Sequence, residues 1–194
     1  MKAFGAIMGG LVIFLVVIGL FVGMWFWGSY NALVQSSSQV DTAYAAIQSQ
    51  YQRRFDLVPN LAEATKGYLQ QEQKVFGDIA EARTRYSGAQ AGSADQIEAM
   101  GSYSSALARL MVIVENYPEL KSNQTVQSLM DELSGTENRI NVSRDRYNET
   151  VRTYNVLIKS FPKNLIAGMF GFETRTMFES ETGASEAVKI KLTD

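Results

Sequence analysis

Between Lys2 and Asp41 the chain carries no charge, and Ala3 to Trp27 is an almost unbroken apolar run. A helix rises about 1.5 Å per residue and a bilayer's hydrocarbon core is about 30 Å thick, so ~20 such residues cross it. Backbone amides find no water there and must bond within the segment, which makes the run a helix. Trp25, Phe26, Trp27 and Tyr30 close it where an interfacial aromatic belt sits. A cleaved signal peptide is the competing reading, but its apolar core spans about 7–15 residues and ends on small side chains. Bulky rings occupy that end here, so residues 1–29 are expected to persist as a single-pass anchor in the cell (inner) membrane. Lys2 precedes the run and no basic residue follows it before Arg53, which places the N-terminus in the cytoplasm and the remainder on the exported side.

Within the anchor, Gly5 and Gly9, then Gly19 and Gly23, form two small-xxx-small pairs fourteen residues apart. That offset puts both pairs close to one helix face, where a second membrane helix can approach closely. Glycine is also common in membrane helices generally, so packing and ordinary composition both account for the pattern.

Beyond Tyr30 the apolar residues change to helical spacing. Leu33, Val40, Tyr44, Ile47 and Tyr51 form a narrow stripe that extends the anchor outward. Pro59 is expected to end this helix and open a second one carrying Leu61, Ala64, Tyr68, Val75, Ile79, Ala82 and Tyr86. The small-residue stretch Ser87 to Gly92 then forms a linker. Ser93 or Asp95 caps a third helix, closed by Pro118. A fourth runs from near Ser122 to Phe161, with a kink expected at Gly135 and a stop at Pro162. The predicted fold is all-α: an N-terminal transmembrane helix continuous with a long antiparallel four-helix bundle. Its expected domains are the anchor 1–29, the bundle 30–162, and an apolar segment with an extended tail, 163–194.

Alternating helix direction returns Pro162 toward the bilayer. Leu165, Ile166, Met169, Phe170 and Phe172 follow it in a segment far too short to span. These residues are candidates for membrane-proximal contact, with Lys159 and Lys163 toward the headgroups. The other reading is a cap on the bundle core, favoured because Gly168 and Gly171 weaken a helix. Ala187 to Leu192 alternates apolar and charged residues, as a docked strand or a frayed end would.

Composition excludes much chemistry. The 194 residues include no histidine and no cysteine, so no imidazole base, thiolate, zinc finger or Cys-ligated cluster is available. A carboxylate-only metal set from Glu63, Glu72, Asp78 and Glu81 is conceivable, but charged residues more often cover solvated helix faces. No Ser-x-x-Lys motif with its partners is present, and the three Asn-x-Ser/Thr matches are taken as chance. A net charge of −2 argues against nucleic-acid binding. No cofactor and no small-molecule substrate are expected.

Several motifs add a resemblance. Tyr30-Asn31-Ala32-Leu33-Val34, the run Arg53 to Leu61, Lys66-Gly67-Tyr68, Tyr117 to Lys121, Arg146-Tyr147-Asn148, Tyr154-Asn155, Phe161-Pro162 and Gly171-Phe172 occur in order along nearly the whole chain. Together they resemble the LemA family. That resemblance implies a bacterial protein with one N-terminal membrane helix and a long antiparallel helical bundle, without a settled molecular function or catalytic residues to transfer. Read physically, Asp56 looks like a corner cap and Arg53 and Arg54 like last-turn cations beside the macrodipole. The Tyr-Asn pairs at 147–148 and 154–155 stand one heptad apart, with tyrosines in the seam and asparagines suited to interhelical bonds.

The expected function is that of a non-enzymatic structural or scaffold protein of the bacterial envelope, bound to the lipid bilayer and forming a homo-oligomer. The alternative is an adaptor that docks another envelope protein, a protease or signalling kinase, on a bundle face. An enzyme ranks third.

Overall fold

The computed structural model describes residues 2–69 and 72–178, with side chains from Met8 onward, and every regular element among them is helical. The helices are α1 (Lys2–Thr65), α2 (Gln73–Gly88), α3 (Ala94–Glu115), α4 (Pro118–Lys121), α5 (Gln124–Lys159) and α6 (Lys163–Phe170). The alternating tail at 187–192 lies outside the described residues.

Pro59 does not end the first helix. It sits inside α1, which runs on to Thr65. An interior proline removes one backbone bond and costs about 3 kcal/mol. Against this, Ile47, Tyr51, Arg54, Val58, Leu61 and Thr65 follow in steps of four and three, all buried. Burying one large apolar side chain contributes ~1.5–3 kcal/mol, so Val58 and Leu61 on either side of the proline outweigh its cost. The unbroken phase across Pro59 was the signal that the helix continues. Leu61 and Ala64 therefore belong to α1, Tyr68 to the connector, and α2 starts only at Gln73.

The other boundaries lie closer to expectation. Ser93 caps α3, its hydroxyl accepting from the Gln96 amide at 3.2 Å. Gly92, at φ +74°, supplies the left-handed turn before it. α3 stops at Glu115, ahead of Pro118, which opens the short α4. α5 begins at Gln124, just after the expected Ser122, and Asn123 caps it, its Oδ1 accepting from the amides of Thr125 and Val126 at 3.0 and 3.3 Å. α5 passes through Gly135 without a break.

The described chain divides into two compact units. The first comprises residues 2–43 and 149–175. In it, α1 is fully exposed from Met8 to Trp25, and the first buried side chain is Ser29, followed by Leu33, Ser36 and Val40. Val151, Tyr154 and Ile158 of α5, with Ile166 and Ala167 of α6, complete its interior. The second unit holds residues 44–148 and 176–178. Within it α5 runs opposite to α1, because Gln50 meets Arg139 while Arg53 meets Glu132. α3 runs with α1, since Tyr44 meets Gln96 and Arg54 meets Ser104. α2 opposes α3 through the Arg85–Glu98 and Asp78–Arg109 pairs. α3 is itself long and apolar enough to cross a membrane. It nevertheless buries Met100, Tyr103, Leu107 and Leu110 in this interior, as a core helix does.

Candidate functional site

A buried cation lies at the centre of the second unit. Arg54 is 1% exposed, at a seam position of α1 where the repeat calls for an apolar residue. Burying an unpaired guanidinium is strongly unfavourable, so each of its donors needs an acceptor. Nε donates to Thr136 Oγ1 at 2.7 Å, and Nη1 donates to Ser104 Oγ at 3.3 Å. Nη2 pairs with the Glu137 carboxylate. The Thr136 hydroxyl donates to the Leu133 carbonyl at 2.6 Å, leaving its oxygen free to accept from Arg54. The polar stretch beside Gly135, read from sequence as a kink, is the acceptor surface for Arg54.

Neither Arg53 nor Arg54 lies in a last helical turn. Both are well inside α1, and Arg53 forms a solvent-exposed pair with Glu132 at 2.6 Å. Asp56 likewise does not cap a corner; it is exposed on α1 and accepts from Gln52 Nε2 at 2.9 Å. These three corrections share one cause, the continuation of α1 past Pro59.

Around Arg54 the seam is aromatic. Phe55 meets Tyr103 edge-on at 4.8 Å and Tyr86 at 5.1 Å. Contacts of this kind add about 0.5–1.5 kcal/mol each beyond their buried area. The Tyr51 hydroxyl donates to the Met100 carbonyl at 3.3 Å, lies 3.2 Å from Ser104 Oγ, and accepts from Arg144 Nη2. Among the described residues, Tyr103 Oη and Arg144 Nε are buried without a hydrogen-bond partner, and burial drives the Tyr103 phenol well above its ordinary range.

Tyr44 donates to Gln96 Oε1, which also accepts from the Gly92 amide at 3.0 Å. Burial pushes the Tyr44 pKa from 10.0 up to about 12. A phenol with a raised folded pKa stabilises the fold below pH 10 and loses that contribution as pH rises toward 12. Stability is therefore expected to start falling near pH 10, and Tyr44→Phe to flatten the fall, read by thermal melting across an alkaline pH series. An unchanged slope in the variant would show that other groups govern the alkaline loss.

A cleft of about 820 Å³ opens beside this seam, lined by α2, α3, Arg144 and residues 176–178. Its charges are largely matched, Arg85 with Glu98 at 2.9 Å and Arg109 with Asp78 at 3.6 Å. Asp78 and Glu81 line it, whereas Glu63 lies on α1 and Glu72 precedes α2. Among the described residues no three acidic side chains gather into a metal-holding group.

The two heptad-spaced asparagines do not bridge helices. Each grips the backbone of a residue in the segment that follows α6. Asn155 accepts from the Arg175 amide and donates to the Arg175 carbonyl, both at 2.9 Å. Asn148 treats Phe178 in the same way, at 2.8 and 2.9 Å. Phe178 is then buried against Tyr147 at 5.4 Å and beneath Arg144 at 5.2 Å. The heptad spacing was visible in sequence; the partner was not, because 172–178 has no periodic signature.

The expected aromatic belt divides by direction. Trp25 and Trp27 face outward, while Phe26 and Tyr30 turn toward α6, with Phe170 at 6.1 and 4.8 Å. Phe172 lies 6.2 Å from Tyr30. In α6, Ile166 is buried whereas Leu165, Met169 and Phe170 are exposed. Among the described residues nothing lies within reach of a Cβ added at Gly9, Gly19 or Gly23, and Gly5 lies where only backbone is described.

These features define an all-helical protein with an N-terminal apolar segment of membrane-crossing length. Residues 43–192 match the LemA family, and the chain belongs to it. It is 28% identical over 179 residues to magnetosome protein MamQ 2 of Paramagnetospirillum magneticum, covering 78% of this chain and 65% of that relative. Identity to magnetosome protein MamQ of Magnetospirillum gryphiswaldense is 28% over 177 residues, with the same coverage of 78% and 65%. The chain thus spans just under two thirds of the length of these relatives. Protein LemA of Metamycoplasma hominis is 22% identical over 170 residues, covering 88% of this chain and 77% of its own.

Proposed function

We propose that this chain is a membrane-anchored, non-enzymatic structural protein of the bacterial envelope that assembles with copies of itself. The observation that carries the reading is the form of α1. Its residues 8–25 are exposed and apolar, and the same unbroken helix then enters a packed interior at Ser29. An exposed apolar run of that length is stable only in lipid or against other helices. The reading takes 1–29 as the anchor, 30–162 as an antiparallel four-helix bundle, and 163–194 as a C-terminal apolar segment with an extended tail. Lys2 supports a cytoplasmic N-terminus and an exported bundle in the inner membrane.

Self-assembly is supported by the unoccupied space at Gly9, Gly19 and Gly23, which suits close approach of a second anchor. Relatives named as magnetosome proteins fit a component of an assembled cellular structure. No ligand, metal or nucleic acid enters this reading. Full-length protein in mild detergent is expected to run as a discrete homo-oligomer, and the double substitution Gly9→Leu, Gly23→Leu to shift it toward monomer. A wild-type monomer at every concentration sinks self-assembly through the anchor. The second reading, an adaptor for another envelope protein, draws on the open cleft of the second unit. It predicts that crosslinking in cells recovers one foreign partner in fixed stoichiometry.

A further inference from the structure

α6 has two unlike faces. Ile166 and Ala167 are buried at 2% and 3%, fixing the helix to the first unit, while Leu165 and Met169 are 59% and 72% exposed. Phe161, four residues before Leu165, is 80% exposed, and Phe170 is half exposed. Gly171, at φ +72°, ends the helix, and the Phe172 amide returns to the Ala167 carbonyl at 3.0 Å. The apolar outer face is thus held by a defined stop and two inward anchors.

The level of this face is set by α1. From Met8 to Trp27 the helix rises about 30 Å, the thickness of a hydrocarbon core. Phe26 and Tyr30, at the end of that run, are the residues whose rings meet Phe170. If Met8–Trp27 fills the hydrocarbon, Phe170 lies at its edge, and Phe161, Leu165 and Met169 face the boundary between acyl chains and headgroups. Lys159 and Lys163 stand nearby, with side chains long enough to reach phosphate.

We infer that α6 is a second membrane element, an interfacial helix whose Leu165 and Met169 side chains, with Phe161 in the turn before it, insert into the leaflet on the bundle side. This rests on α1 being a membrane anchor. Two points of attachment, one spanning and one lying in the surface, fix the tilt and rotation of the first unit against the bilayer, which a lone helix leaves free. The occupant of the face is lipid, because the exposed face is continuous in level with the spanning segment.

The absence of cysteine makes the test direct. Single-cysteine variants at Met169, Val112 and Leu15, all exposed in the structure, carry an environment-sensitive fluorophore in full-length protein reconstituted into anionic phospholipid vesicles. At Met169 the expected result is a blue-shifted emission, quenching by lipids spin-labelled at a shallow acyl position, and iodide quenching several-fold below that at Val112. Quenching at Leu15 by deeply labelled lipid reports the anchor independently. Lipid contact at Leu15 with Met169 as open to iodide as Val112 overturns the inference and leaves the anchor standing. Shielding at Met169 without lipid quenching overturns it in favour of a second copy covering the face. Loss of lipid contact at Leu15 overturns both readings.

Discussion

Glu137→Leu is expected to destabilise the protein by about 2–4 kcal/mol, whereas Arg54→Met costs no more than ~1.5 kcal/mol. The asymmetry follows from burial. Arg54 is 1% exposed and Glu137 is 41% exposed. Removing the carboxylate leaves a cation in the interior held by the neutral Thr136 and Ser104 hydroxyls and the face of Tyr51. Removing the cation instead leaves a glutamate that water already reaches. Thr136 also keeps its bond to the Leu133 carbonyl at 2.6 Å. Methionine fills much of the vacated volume with a flexible apolar chain. Thermal melting of the full chain in mild detergent should therefore place Glu137→Leu below Arg54→Met, with the double variant near the latter. The reverse order would mean that Arg54 acts through its hydrogen bonds and packing rather than as a charge needing compensation.

The second large effect concerns the segment held along α5. Phe178→Ala removes a ring that is 7% exposed, and such truncations cost ~3–5 kcal/mol. Asn148→Ala removes two backbone-directed bonds of about 0.5–1.5 kcal/mol each. Both losses fall on the segment that follows α6 and appear as its local opening rather than global unfolding. Amide exchange at Phe178 is expected to rise by at least ~100-fold in Phe178→Ala, since each 1.4 kcal/mol is a factor of ten. Asn148→Asp should be worse than Asn148→Ala, because a carboxylate would face the Phe178 carbonyl. A fall in global melting with unchanged exchange at Phe178 would show that Asn148 supports the helices and not the segment.

Where an element announces itself through periodicity, the chain is legible without coordinates. The apolar run of α1, the cap at Ser93 and the heptads of α5 are local patterns with local causes. Pro59 was misread because a strong local rule was set above a weaker, longer signal, the 3–4 phase continuing from Val58 to Leu61 to Thr65. Arg54 was misplaced for the same reason. In a helix taken to end at Pro59 it reads as a terminal cation, and in one that continues it falls in the seam. α6 was weakened on paper by Gly168, yet it forms because Ile166 and Ala167 are buried and Gly171 stops it.

By itself, then, the amino-acid sequence determined the helical class, the uncharged membrane-length segment and the family. Each is encoded in neighbouring residues and in the simple rule that uncharged apolar surface leaves water. The tertiary structure alone decided which polar side chains are buried, what Asn148 and Asn155 hold, and which face of α6 remains open at the end of the apolar run. Those outcomes depend on residues far apart in the sequence, Arg54 and Glu137 by 83 positions and Tyr51 and Arg144 by 93. The partner of a buried charge is chosen by packing, which no local pattern records.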